Sequence, residues 1–162
     1  MAWAWVRPAD PTLLEPRPLL DLGSGDGGLG AGSGLVVGLD RSEGILRVAK
    51  GGPFVVGEAE ALPFRDGSLA VVVAGDLFHH LDDAALGAVL EEIYRVLRGD
   101  GTLVAWWYEK AARRGPDAPR YPRRFETVAQ TARTVGFVRI EPLALEFTLE
   151  PAPATVGLVA SR

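Results

Sequence analysis

The sequence predicts an α/β protein built on a mainly parallel, seven-stranded sheet. Three observations carry that prediction. Short apolar runs bounded by glycine, proline or aspartate recur along the chain, each too brief for a helix. Helical patterns fall between several of them, and strands alternating with helices make parallel sheets. The last two apolar runs follow one another with no helix between, which makes an antiparallel hairpin at a sheet edge. Five strand–loop–helix alternations and a closing hairpin give an expected strand order of 3-2-1-4-5-7-6, the seventh strand antiparallel.

Each element has its own reason. Residues 1–17 contain Pro8, Pro11 and Pro16, with Pro18 next, and read as an irregular lead-in because that spacing forbids a long helix. Strands one to five are "PLLDL" (18–22), "LVVGLD" (35–40), "PFVVG" (53–57), "SLAVVVAGD" (68–76) and "GTLVAWWY" (101–108). The unbroken apolar run of the fourth suits a strand covered on both faces. Strands six and seven are "FVRIEPLALEFTLE" (137–150) and "ATVGLVASR" (154–162). Ser42 can cap a helix over 42–50. The segment 82–101 places Leu86, Val89, Leu90, Ile93, Val96 and Leu97 on one face, with Asp82 or Asp83 as N-cap and Gly99 as terminator. The segment 122–136 does the same with Phe125, Val128, Ala129, Ala132 and Val135, Pro122 suiting its first turn and Gly136 its end.

The chain of 162 residues reads as a single domain. Its net charge of −4 weighs against coating nucleic acid. The absence of cysteine excludes disulfides and thiolate metal sites. No run approaches the roughly 18 apolar residues of a membrane span, so no membrane role and a cytoplasmic location are expected. Arginine outnumbers lysine 15 to 2 and asparagine is absent, a bias that fits a thermophile and fits GC-rich coding equally well.

The stretch "LLDLGSGDGGLGAGSGLVVGLD" (19–40) carries the chemistry. A glycine turn after the first strand lies at the carboxyl end of the sheet, where ligands bind. Gly23, Gly25 and Gly28 match the G-x-G-x-x-G of dinucleotide sites. The charges oppose a pyrophosphate, however: Asp21 and Asp26 flank the loop, and no Lys or Arg lies between residues 18 and 40. A P-loop is excluded because Gly-Lys-Ser/Thr is missing. The ligand should be a nucleoside without phosphates, preferably cationic. Asp40 ends the second strand, where a carboxylate grips ribose hydroxyls. S-adenosylmethionine meets this description.

Four motifs in order then resemble the class I S-adenosylmethionine-dependent methyltransferases of the small type 11 kind. They are "LLDLGSGDG", "VVGLDRSEGIL", "GEAEALPFRDGSLAVVVAGDLFHHL" and "LEEIYRVLRGDGTLV". The resemblance implies a Rossmann-like fold, S-adenosylmethionine as methyl donor and S-adenosylhomocysteine as product. No metal is expected, because the adjacent His79 and His80 make no i, i+4 pair and Asp82 and Asp83 suit helix caps. The resemblance implies that Gly23, Ser24 and Gly25 line the methionine portion, supported by Asp21. It puts Asp40, with Arg41 beside it, at the ribose and Ile45 on the adenine. Glu58, where the family usually has Asp, would accept from the adenine amino group, with the Ala59 N–H beside it. Ala74 and Gly75 would border the methionine end. Departures accompany the match. Asp21 and Asp40 are 19 residues apart, shorter than usual, and Gly30, Gly32 and Gly34 disfavour the helix between them.

Methyl transfer from a sulfonium needs a base only when the acceptor cannot lose its own proton. His79 and Asp76, after the fourth strand, are the candidates, although His79 equally suits packing or helix capping. Tyr108, after Trp106 and Trp107, is placed to stack on an acceptor. The Arg-rich segment 110–124 suits either an anionic acceptor or solvent. Two other functions stay open: a non-catalytic S-adenosylmethionine-binding subunit, and a nicotinamide-dependent oxidoreductase supported only by G-x-G-x-x-G. Few residues precede the first strand, so the reading expects an open site for an unidentified acceptor. A large acceptor, a partner protein or a second copy in a homodimer would cover it, with Trp3 and Trp5 as contacts.

Overall fold

The computed structural model describes residues 6–27, 29, 35–109, 120–147 and 155–162. Its strands are β1 (Val6–Pro8), β2 (Leu19–Leu22), β3 (Val36–Asp40), β4 (Phe54–Val56), β5 (Leu69–Gly75), β6 (Leu97–Tyr108), β7 (Arg139–Pro142), β8 (Leu145–Phe147) and β9 (Thr155–Ser161). The helices are α1 (Glu43–Leu46), α2 (Asp83–Val96) and α3 (Phe125–Val135). Seven strands form one sheet in the order β4-β3-β2-β5-β6-β9-β7. All run parallel except β9, which is antiparallel to both neighbours. Numbered by the seven expected strands, this is the order 3-2-1-4-5-7-6.

The two faces of the sheet are covered differently. On one, α2 and α3 pack their apolar stripes on Leu20, Leu22, Val72, Leu103, Trp107 and Leu158. Leu86, Val89, Leu90, Ile93 and Val96 are fully buried there, as their spacing requires. A buried side chain of this size supplies about 2 kcal/mol. Trp107 also donates its indole N–H to the Arg123 carbonyl at 2.9 Å, so its polar handle is satisfied.

On the other face neither α2 nor α3 packs. Leu19, Val36, Val71, Val73, Val104 and Trp106 are covered by Val6, Leu13, Leu14, Leu29, Leu143 and Leu145. Val6 and Leu145 belong to a second sheet, the antiparallel ribbon β1–β8, in register Val6 to Phe147. Leu13 and Leu14 come from a 3-10 turn, Pro11–Leu14, whose start is capped by Asp10.

The lead-in expected to be irregular therefore holds a strand and a helical turn. The single sixth strand expected over 137–150 is two, because after Leu143, whose N–H still donates to the Gly157 carbonyl of β9 at 2.9 Å, the chain turns away and pairs with β1 instead. The helix expected over 42–50 is a single turn, although Ser42 caps it as anticipated. Asp82 caps α2 through the Ala85 N–H at 2.9 Å. That helix ends at Val96 rather than at Gly99, and β6 begins at once. α3 starts at Phe125 with no side-chain cap, beyond Pro122, and ends at Gly136, whose φ of +128° glycine tolerates. The glycines at 30, 32 and 34 lie outside the described residues. No helix of the described residues is long and apolar enough to cross a membrane.

Candidate functional site

The carboxyl ends of β4, β3, β2 and β5 form one rim. β2 ends in the turn Gly23–Gly27, held beneath by Gly23 and Ser24 N–H groups that donate to the Leu39 carbonyl at 2.8 and 3.1 Å. Gly25 has φ +53° and nothing within 4 Å of the position a Cβ would take, so the loop's outer side is open. The Ser24 hydroxyl turns the other way. It is buried without a hydrogen-bond partner, 2.8 Å from where a Cβ on Gly38 would sit. Ser24 thus offers its backbone to the loop and not its side chain to the rim.

Two carboxylates frame this turn. Asp40 accepts from Gly25 N–H at 3.0 Å with one oxygen and from Ser42 N–H at 2.8 Å with the other. It ties the glycine turn to the start of α1. Asp21 is buried, and its pKa is pushed up from 3.8 to about 7. Burial is the main cause; a hydrogen bond from the Leu29 backbone opposes it, and the Asp40 charge adds to it. A carboxyl group in that state gains strongly from a cation placed beside it.

The next strand end is linked to the same cluster, since the Asp40 carbonyl accepts from Gly57 N–H at 3.1 Å. Glu58 follows as an exposed side chain and Ala59 is half-buried. Ile45 is exposed on α1, and Arg41 is exposed beside Asp40. At the end of β5, Gly75 reaches the rim, but the Ala74 side chain is fully buried in the helix-covered core, which removes it as a lining side chain. Gly75 is required by packing, because a Cβ would lie 2.4 Å from the Trp106 ring. Asp76 is exposed with φ +55°, a conformation aspartate tolerates better than most residues, and its N–H donates to the Trp106 carbonyl at 2.9 Å. Leu77 leans against Gly23. Two grooves of about 200 and 430 Å³ lie on the β7–β9 side, and neither is lined by these residues.

His79 does not have the surroundings of a general base. Its ring is buried, and Nδ1 accepts from the Tyr108 N–H at 3.3 Å, which assigns the proton to Nε2. The rings of His80 and Tyr108 stand 4.2 and 4.8 Å away. Burial, aided by the His80 charge, lowers its pKa from 6.5 to about 3. Such a ring stays neutral and fixes the 3-10 turn Phe78–His80 to the end of β6. Tyr108 stands half-buried at that end. The same junction is locked by Arg123, which the sequence reading passed over. Its guanidinium donates to the Phe78 and Leu81 carbonyls and to the Asp83 carboxylate. Its backbone N–H donates to the Tyr108 carbonyl at 3.3 Å. One arginine in an Arg-rich segment carries no local signal of burial. Residues 110–119, Trp3 and Trp5 lie outside the described residues.

The profile of the methyltransferase-domain family, type 11, matches residues 20–105, which include every strand end of this rim. The chain belongs to that family. Its class I S-adenosylmethionine-dependent methyltransferase fold is repeated in a solved methyltransferase of Thermotoga maritima, described as a possible histamine N-methyltransferase. The TM-score is 0.71 at 19% identity, covering 93% of this chain and 84% of that one. Among curated proteins, the chain is 37% identical over 103 residues to a demethylmenaquinone methyltransferase of Lactococcus lactis, covering 58% of this chain and 38% of that protein. It is 33% identical over 151 residues to a malonyl-[acyl-carrier protein] O-methyltransferase of Methylococcus capsulatus, covering 77% and 53%. The chain thus spans about half the length or less of these curated relatives.

The methyltransferase rim suits the family's methyl donor. A glycine turn with an open outer side, beside a buried carboxyl group whose pKa is about 7, suits an ammonium. Replacing Asp40 by alanine removes the acceptor that both Gly25 and Ser42 use. Asp40→Ala is expected to weaken S-adenosylhomocysteine binding by about 1–3 kcal/mol. Calorimetry returning wild-type affinity would take Asp40 out of the site.

Proposed function

We propose that this methyltransferase transfers the methyl group of S-adenosylmethionine to an acceptor that needs little help in losing a proton. The observation that carries the reading is the pair of carboxylates, Asp21 and Asp40, around the turn Gly23–Gly27, which itself contains no lysine or arginine. Bound there, the sulfonium supplies an electrophilic methyl group and leaves as a neutral thioether. The chain's own work is orientation and electrostatics. Asp21 holds the ammonium end and Asp40 the ribose hydroxyls. Ile45 covers one adenine face, Glu58 accepts from its amino group, and the Ala59 N–H donates beside it. Gly75 and Asp76 border the acceptor side, with Tyr108 one strand further on.

The buried, neutral His79 argues for an acceptor that arrives ionised or acidic. One relative is named for O-methylation of a malonyl group, and a carboxylate needs no base at neutral pH. Asp76 is the side chain left to take a proton where one must be taken.

S-adenosylmethionine and S-adenosylhomocysteine are expected to raise the melting temperature, and NAD and NADP to leave it unchanged. A response to NAD alone would replace this reading with the oxidoreductase. Transfer of labelled methyl from S-adenosylmethionine into a metabolite extract, read by mass spectrometry, tests turnover. Tight binding with no labelled product in any extract or partner mixture would favour a non-catalytic binding subunit.

A further inference from the structure

The segment between β4 and β5 has no regular structure from Gly57 to Ser68, yet it carries Glu58 and Ala59. In place of a helix, two side chains of α2 hold it. The Glu92 carboxylate accepts from Leu62 N–H at 2.6 Å. The Arg95 guanidinium donates to the Leu62 carbonyl at 3.0 Å, the Phe64 carbonyl at 2.9 Å and the Asp66 carboxylate at 2.6 Å. Arg95 and Glu92 also bond each other twice, at 2.7 and 2.8 Å. The Arg95 carbonyl takes the Gly67 N–H at 2.9 Å. At its other end the segment is fixed by Gly57 N–H on the Asp40 carbonyl. Glu58 to Ala61 is thereby a single turn, closed by Ala61 N–H on the Glu58 carbonyl at 3.2 Å, strung between two anchors.

We propose that Arg95 and Glu92 are positioning residues for purine recognition, setting where Glu58 and the Ala59 N–H meet the base. The inference rests on the S-adenosylmethionine reading above. A planar guanidinium with donors in several fixed directions can bind two carbonyls and two carboxylates at once, and a lysine ammonium cannot keep all of these. The four side-chain bonds to the loop end on residues 62–66, three residues or more beyond Ala59, so neither side chain needs to touch the ligand. Without the clamp the turn shifts, and the donor–acceptor pattern offered to the base blurs before overall affinity is lost.

The test uses S-adenosylhomocysteine and its 6-oxo analogue, S-inosylhomocysteine. The 6-oxo base presents an acceptor where adenine has its amino donor, and N–H where adenine has an acceptor. Wild type is expected to prefer the adenine compound by about tenfold or more, the value of one hydrogen bond to a charged group. Arg95→Lys should reduce that preference to about threefold or less. Thermal melting checks that the variant is folded. If Arg95→Lys does not fold, Glu92→Gln keeps the shape of the bridge, removes its charge and is expected to lose discrimination in the same way. A folded variant with wild-type discrimination overturns the clamp, and so does a wild type that binds both compounds equally. A wild type that binds neither overturns the S-adenosylmethionine reading as well.

Discussion

Ligand affinity should climb as pH rises through about 7, while the stability of the unliganded protein should fall as pH rises from about 4 towards 7. Both effects come from Asp21, whose pKa lies near 7 in the folded chain against 3.8 ordinarily. The folded state holds this proton more tightly than the unfolded one. Its contribution to stability is therefore fully present below about pH 4, declines as pH rises towards 7, and is gone above. A cationic ligand has the opposite preference, since its ammonium favours the carboxylate. At about pH 6 roughly a tenth of the unliganded molecules are ionised at Asp21, so S-adenosylhomocysteine should bind about tenfold more weakly than on the alkaline plateau. Binding there should release a proton, visible in calorimetry as a dependence on buffer ionisation heat. Asp21→Asn should flatten both profiles and leave affinity low throughout. Constant affinity of the wild type from about pH 5.5 to 8 would mean that Asp21 does not face the cation.

Arg123→Ala should cost about 3 kcal/mol of stability. The guanidinium is 6% exposed, while its ion-pair partner Asp83 is 93% exposed. The two halves of this bridge are therefore unequal. Removing Asp83 leaves an arginine that still binds the Phe78 and Leu81 carbonyls, and Asp83→Ala should cost under about 1 kcal/mol. Removing Arg123 leaves the Leu81 carbonyl without its guanidinium partner, leaves the Phe78 carbonyl only the long 3.4 Å bond from Leu81 N–H, and opens a void, at about 1–3 kcal/mol for a buried polar group left unpaired. For a domain of this size the melting temperature should fall by roughly 6–12 °C. Calorimetric melting of both variants checks the asymmetry; equal, small effects would mean that water replaces the guanidinium without loss.

The sheet was legible because its order follows from short apolar runs ended by glycine or aspartate, and those runs owe little to distant residues. The rim was legible for the same reason: Asp21, Gly25 and Asp40 sit at strand ends. What could not be read depends on partners far along the chain. Val6–Pro8 is a three-residue strand ending in proline, and only pairing with Leu145–Phe147, some 140 positions away, makes it one. The break after Pro142 is hard to see in "RIEPLALEF", where the apolar run Pro142–Leu145 carries straight across it. Ser24 is expected to line the methionine portion with the rest of the loop, and the small Gly38 next to it leaves room for its hydroxyl to turn inward. Ala74 faces the core because Gly75, its neighbour, faces the other way, and strand alternation fixes that only once the covered faces are known. His79 and His80 are adjacent and identical, yet one is buried and the other exposed.

The place of β9 between β6 and β7 has a consequence for assembly. β9 follows every other described strand in the sequence yet lies between β6 and β7, so the described strands do not add to the sheet in the order in which they are translated. Until β9 arrives, β6 presents a bare edge from Thr102 to Tyr108, and β7 has no neighbour among the described strands. An unpaired edge carrying Leu103, Val104, Trp106 and Trp107 is a template for any other chain with a free strand. Pairing over such sequence distances is also slow. The nascent protein is thus most prone to aggregate just before its last strand docks, and a single strand insertion closes the edge of β6 and recruits β7.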